Sequence, residues 1–192
     1  MGSPPAPDFS DLIASVGRAL RGRRIPFMLI GGQAVLLHGK PRLTEDIDIT
    51  LGVDTTHLPT LLSVCAELTL TPLPETPDAF VRDTFVLPAR HADSGIRVDF
   101  IFSTTPYEQQ AIARAESVTL AGVAVPFASA EDLIIHKLFA GRPRDLEDAA
   151  GVVRRKGRGL DWVYLEHWVG EFAAVPGREG LPGVLRALRE GA

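Results

Sequence analysis

The chain has 192 residues, 45% of them hydrophobic and 23% charged, with a formal net charge of -4. Such a composition belongs to an ordinary globular protein with enough length for a full core. It argues against a non-specific nucleic-acid coat, which rests on many Lys and Arg contacts to phosphate. The single cysteine, Cys65, excludes an internal disulfide or a multi-cysteine zinc site.

The first seven residues, rich in proline, read as a disordered lead without the basic-then-apolar pattern of a secretion signal. Apolar residues at Leu12, Ile13, Val16 and Leu20 predict a helix over 8–23. Residues 27–30 read as a short buried strand ended by Gly31-Gly32, with a helix over 33–38 that stops at Gly39-Lys40-Pro41. His38 on that helix reads as a packed or capping residue. A second strand is expected over 46–51 and a helix over 58–68, with Pro59 in its first turn and Cys65 as a buried small hydrophobe. Residues 71–77 read as a Pro-rich loop, and 79–89 as a short helical turn followed by a strand around 84–87. A strand over 95–102, a helix over 107–115 and a hairpin over 117–126 turning at Ala121-Gly122 come next.

The last third reads as helical. Ser129 caps a helix running to Ala140, with Asp132 reaching back in a variant of the capping box. Helices over 144–155, 161–173 and 181–189 follow, with Trp162 and Trp168 expected in their core. Arg18, Arg21, Arg23 and Arg24 form one basic cluster, and Arg154, Arg155, Lys156 and Arg158 another. No apolar stretch is long enough for a bilayer, so a cytoplasmic protein without a membrane partner is expected. The chain divides into the lead (1–7), a small mixed sheet with flanking helices (8–126) and a helical C-terminal region (127–192).

The chemistry concentrates in Asp46 and Asp48. In a strand, side chains two apart share a face, so both carboxylates point one way while Ile47 and Ile49 point the other. Like charges held together invite a cation, and all-oxygen donors suit Mg2+. Asp99 stands in the apolar strand Val98-Asp99-Phe100, where packing alone would favour another aliphatic residue. If that strand lies beside 46–51, the three acids converge and can hold two Mg2+ ions, with Mn2+ as a substitute. Asp99 would then be the second-metal ligand or the base. Gly31 and Gly32, lacking Cβ atoms, let backbone N–H groups approach a phosphate, and the helix that follows adds its positive dipole.

Gly31-Gly32, a helix, Asp46-Ile47-Asp48 and a third acid at Asp99 resemble the DNA polymerase β-like nucleotidyltransferase superfamily. The run from Glu131 to Asp148, with Lys137, the break at Gly141-Arg142-Pro143 and Arg144-Asp145-Leu146-Glu147-Asp148, resembles its AbiEii-like bacterial branch. The resemblance covers residues 27 to 150 or so. It implies an α+β nucleotidyltransferase fold and Mg2+-dependent transfer of a nucleoside monophosphate from an NTP, ATP among them, to a hydroxyl. By that similarity Asp46, Asp48 and Asp99 are metal ligands, and Lys137 contacts the triphosphate. Asp148 or Asp145 supports the site, while Arg42 and Thr44 face substrate or the first metal ligands. The acceptor is a tRNA 3′ end or a small molecule. The chain would serve as the toxin of a toxin–antitoxin pair, with an antitoxin protein as partner. The competing reading is a catalytically weak antitoxin or partner-binding module on the same fold; the presence of all three acids argues against it.

Overall fold

The computed structural model describes residues 9–40 and 44–191. The proline-rich lead and Arg42 lie outside them. The chain forms two compact units, one of Met1–Ile30 with Thr44–Phe127 and the other of Gly31–Leu43 with Ala128–Ala192.

The first unit is built on seven strands: β1 (Phe27–Leu29), β2 (Asp46–Leu51), β3 (Leu70–Pro72), β4 (Val86–His91), β5 (Arg97–Phe102), β6 (Glu116–Leu120) and β7 (Val123–Phe127). Their order across the mixed sheet is β3-β4-β5-β2-β1-β7-β6. β2 runs parallel to β5 and antiparallel to β1, so the strands bearing the acids adjoin near the middle of the sheet. On β2, Ile47, Ile49 and Leu51 are fully buried while Asp46 and Asp48 are half-buried, as the strand's two-residue alternation requires. Helix α1 (Phe9–Gly22) buries Leu12, Ile13, Val16 and Leu20, the four residues its periodicity singles out.

The expected Pro-rich loop is in part strand. β3 ends at Pro72 on the edge of the sheet, where a missing backbone N–H breaks no ladder. The expected strand at 84–87 begins only at Val86. Thr84 closes a helix over Pro77–Thr84, which Phe85 ends in the left-handed region at φ 58°.

The second unit contains helix α2 (Gly31–His38) and the C-terminal helices α6 (Ala130–Ala140), α7 (Pro143–Lys156), α8 (Trp162–Phe172) and α9 (Leu181–Glu190). The helices between belong to the first unit: α3 (Leu58–Glu67), α4 (Pro77–Thr84) and α5 (Pro106–Arg114). Cys65 on α3 is buried, which pushes its thiol up to about 12.

Two local devices shape the second unit. Ser129 Oγ accepts the Asp132 N–H at 3.1 Å and donates to Asp132 Oδ2 at 2.6 Å, fixing the start of α6. Tyr164 O–H donates to the other oxygen of this fully buried carboxylate at 2.7 Å, tying α8 to α6. His38 Nε2 lies 2.8 Å from the Ala128 carbonyl oxygen, a packed and hydrogen-bonded histidine. The tryptophans do not form the core expected of them. Trp162 and Trp168 are half-buried, and the inward positions of α8 belong to Tyr164, Leu165 and Val169. Trp162 instead lies under the Arg189 guanidinium, 4.9 Å from ring centre to Cζ. Among the described residues no helix is long and apolar enough to cross a membrane.

Candidate active site

The parallel register of β2 and β5 sets Asp48 directly beside Asp99 and Asp46 beside Arg97. In strands that twist together, register partners share a face. Three carboxylates and one guanidinium therefore occupy a two-by-two block near the middle of the sheet. Arg97 Nε donates to Asp99 Oδ1 at 2.8 Å. This hydrogen bond raises the Arg97 pKa above its ordinary value; burial opposes the shift, and the charges of Asp99, Asp46 and Asp48 reinforce it. Thr44 Oγ1 donates to Asp46 Oδ1 at 3.1 Å, which orients the first acid of the pair.

The donor set matches a hard divalent cation, being all carboxylate oxygen on one face. Among the described residues no three His, Cys, Asp or Glu side chains are gathered closely enough to hold a metal ion as they stand. Among the described residues Arg97 brings a positive charge to this face, and the charges of all three acids help to raise its pKa. Sequence reasoning passed over Arg97. Its signal was its position two residues before Asp99 in a strand, which places the two side chains on one face.

Gly31, separated from the end of β1 by Ile30 alone, has φ 60° and is the first residue of α2. The pair of glycines is thus not a turn ahead of a helix at Gln33 but the first turn of the helix itself. Its N–H groups have no intrahelical acceptor there, and the left-handed dihedral of Gly31 would strain any residue with a Cβ.

Lys137, Asp145 and Asp148 form a compact buried cluster in the helical unit. Lys137 Nζ lies 2.8 Å from Asp145 Oδ1 and 3.0 Å from Asp148 Oδ2, and the three side chains are 9%, 3% and 7% exposed. Gly141 at φ 70° ends α6 and Pro143 starts α7, folding the lysine's helix back against the aspartates'. Arg142 Nε donates to Asp145 Oδ2. Burial alone would raise the Asp145 carboxyl, but hydrogen bonds from Arg142 and Lys137, with their charges, outweigh it and hold the pKa below the usual value. An ammonium has three N–H donors, so two aspartates leave one for a further acceptor.

Residues 17–168 match the family described as nucleotidyl transferase AbiEii toxin of type IV toxin–antitoxin systems. No curated protein matches the chain significantly. Solved structures share its fold. The solution structure of the antibiotic-resistance factor ANT(2″)-Ia aligns with TM-score 0.58 at 18% identity, covering 86% of this chain and 94% of that one. An antigenic nucleotidyltransferase-like protein from Paracoccidioides brasiliensis aligns with TM-score 0.57 at 16% identity, covering 95% and 87%. ANT(2″)-Ia in complex with adenylyl-2″-tobramycin aligns with TM-score 0.51 at 19% identity, covering 95% and 97%. The sheet flanked by helices is the nucleotidyltransferase fold expected from the glycine pair and the acids, and the chain belongs to the AbiEii nucleotidyltransferase family of toxin–antitoxin systems.

Proposed function

We propose that this chain transfers a nucleoside monophosphate from an NTP to a hydroxyl acceptor with the help of Mg2+, and that it does so as the toxin of a toxin–antitoxin pair. The observation that carries the reading is the register of Asp48 with Asp99, with Asp46 on the same face of β2. Asp46 and Asp48 hold the ion that accompanies the triphosphate, and Asp99 is ligand to a second ion or base toward the acceptor hydroxyl. When bound, the ions supply charge neutralisation and a lowered pKa for that hydroxyl.

The acceptor oxygen bonds to the α-phosphorus as the bond to the bridging oxygen breaks. Pyrophosphate leaves, and the hydroxyl proton passes to a carboxylate oxygen. Gly31 and Gly32 offer backbone N–H groups to phosphate at the start of α2. Lys137 offers its third N–H to the triphosphate, held for that task by Asp145 and Asp148. Thr44 steadies Asp46.

The acceptor is a tRNA 3′ end or a small molecule. The net charge of -4 leans toward the latter, as does the adenylyl-tobramycin complex of the similarly folded ANT(2″)-Ia. The test is incubation with Mg2+ and NTPs labelled at the α-phosphate, against pools of tRNA and aminoglycosides. Label should move to one pool and be lost in Asp46→Asn and Asp48→Asn. Label retained in those variants would overturn the assignment of the acids.

A further inference from the structure

The face that carries Asp46, Asp48 and Asp99 already holds a cation. Arg97 lies in register with Asp46 and donates through Nε to Asp99 Oδ1 at 2.8 Å. The four side chains together carry a net charge of -2; without Arg97 they carry -3. The Asp99 side chain is 16% exposed and that of Arg97 is 46% exposed. The open side of this pair is the arginine, whose long side chain can turn its head into solvent while its stem stays on the strand.

We infer that Arg97 is a resident cation that occupies Asp99 while no nucleotide is bound, so that the Asp99 position opens to a divalent ion only when nucleotide arrives. This rests on the reading of the three acids as metal ligands. Its chemical logic is competition. A guanidinium beside a carboxylate repels an incoming divalent ion and takes up one of the oxygens that ion needs. The triphosphate's negative charge reverses the balance, since it draws a second ion and offers Arg97 another anion. The device would keep the chain from holding two ions in the absence of substrate.

Calorimetric titration of the full chain with Mn2+, without nucleotide, tests this. A unit charge about 5 Å from a divalent ion in screened, nearly aqueous surroundings is worth roughly five- to tenfold in affinity. Arg97→Gln should therefore bind Mn2+ about five- to tenfold more tightly than the parent, or gain a second ion. Arg97→Lys, which keeps the charge, should stay near the parent. Asp99→Asn placed on Arg97→Gln should remove the gain. Unchanged or weaker binding by Arg97→Gln, or no detectable binding by either protein, overturns the inference. Asp48→Asn separates the two layers of argument. If it leaves Mn2+ binding intact, the metal reading itself fails; if it abolishes binding while Arg97→Gln behaves like the parent, only the role of Arg97 fails. Thermal unfolding of each variant confirms that the fold persists.

Discussion

Replacing Lys137 by methionine would remove the one ammonium that faces both Asp145 and Asp148 inside the helical unit. Both carboxylates lose an ion pair, Asp145 with Arg142 still beside it and Asp148 with a side chain only 7% exposed. Breaking a buried pair by deleting one partner costs about 3–5 kcal/mol. An independent bound comes from protonation. Neutralising a carboxyl of ordinary pKa, near 3.9, at pH 7 costs roughly 4 kcal/mol, which caps what a single carboxylate can contribute to the loss. For a chain of this length each kcal/mol lowers the melting temperature by roughly 2–4 °C, so Lys137→Met should melt about 10 °C below the parent in a calorimetric scan. Lys137→Met with Asp148→Asn should recover part of the loss, because one of the two buried carboxylates that faced the ammonium is gone. If Lys137→Met melts within about 2 °C of the parent, or the double variant melts no higher than the single, the cluster does not hold the α6–α7 hairpin together.

Other outcomes follow from the same geometry. Asp145 has a lowered pKa in the folded chain, so its stabilising contribution is complete above the unfolded value near 3.9 and is lost as pH falls through the lower folded one. Urea midpoints should therefore hold from neutral pH down to about 5 and drop below about 4, with a shallower drop in Asp145→Asn; equal slopes would remove Asp145 from the account. Tyr164→Phe strips a hydrogen bond from a fully buried carboxylate and should cost about 1–3 kcal/mol in denaturant titration. Cys65, with its thiol pushed up to about 12, should resist a disulfide reagent at mildly alkaline pH until the chain is unfolded. Gly31→Ala forces a Cβ into the left-handed region and should lower stability by roughly 1–2 kcal/mol, where a neutral result would mean the helix start can rearrange.

Much of this fold announced itself through residues that break a local pattern. Asp46, Asp48 and Asp99 stood out because each interrupts an apolar strand, and period-two geometry then assigned their face. Ser129 and Asp132 marked the start of α6 because capping chemistry is local and short-ranged. The errors lie where a local preference lost to tertiary context. Gly31-Gly32 read as a stop, yet the left-handed dihedral that only glycine adopts cheaply lets the chain turn straight from β1 into α2. Pro72 read as loop because proline breaks ladders, but an edge strand has no ladder on its open side. Trp162 and Trp168 read as core, whereas α8 turns Tyr164 inward, where its hydroxyl donates to Asp132. Arg97 was passed over in the sequence, since nothing in its neighbours says which acids the adjoining strand will present. Pairing with β2 supplies that information, and pairing is a non-local property of the chain.

Diffraction from crystals grown with Mn2+ and a non-hydrolysable NTP, recorded at the manganese edge, tests the central claim most directly. The account predicts anomalous peaks within bonding distance of Asp46 and Asp48, one of them reaching Asp99, with the Arg97 guanidinium turned away from Asp99. Ordered nucleotide with manganese bound elsewhere, and these three carboxylates bare, would contradict it.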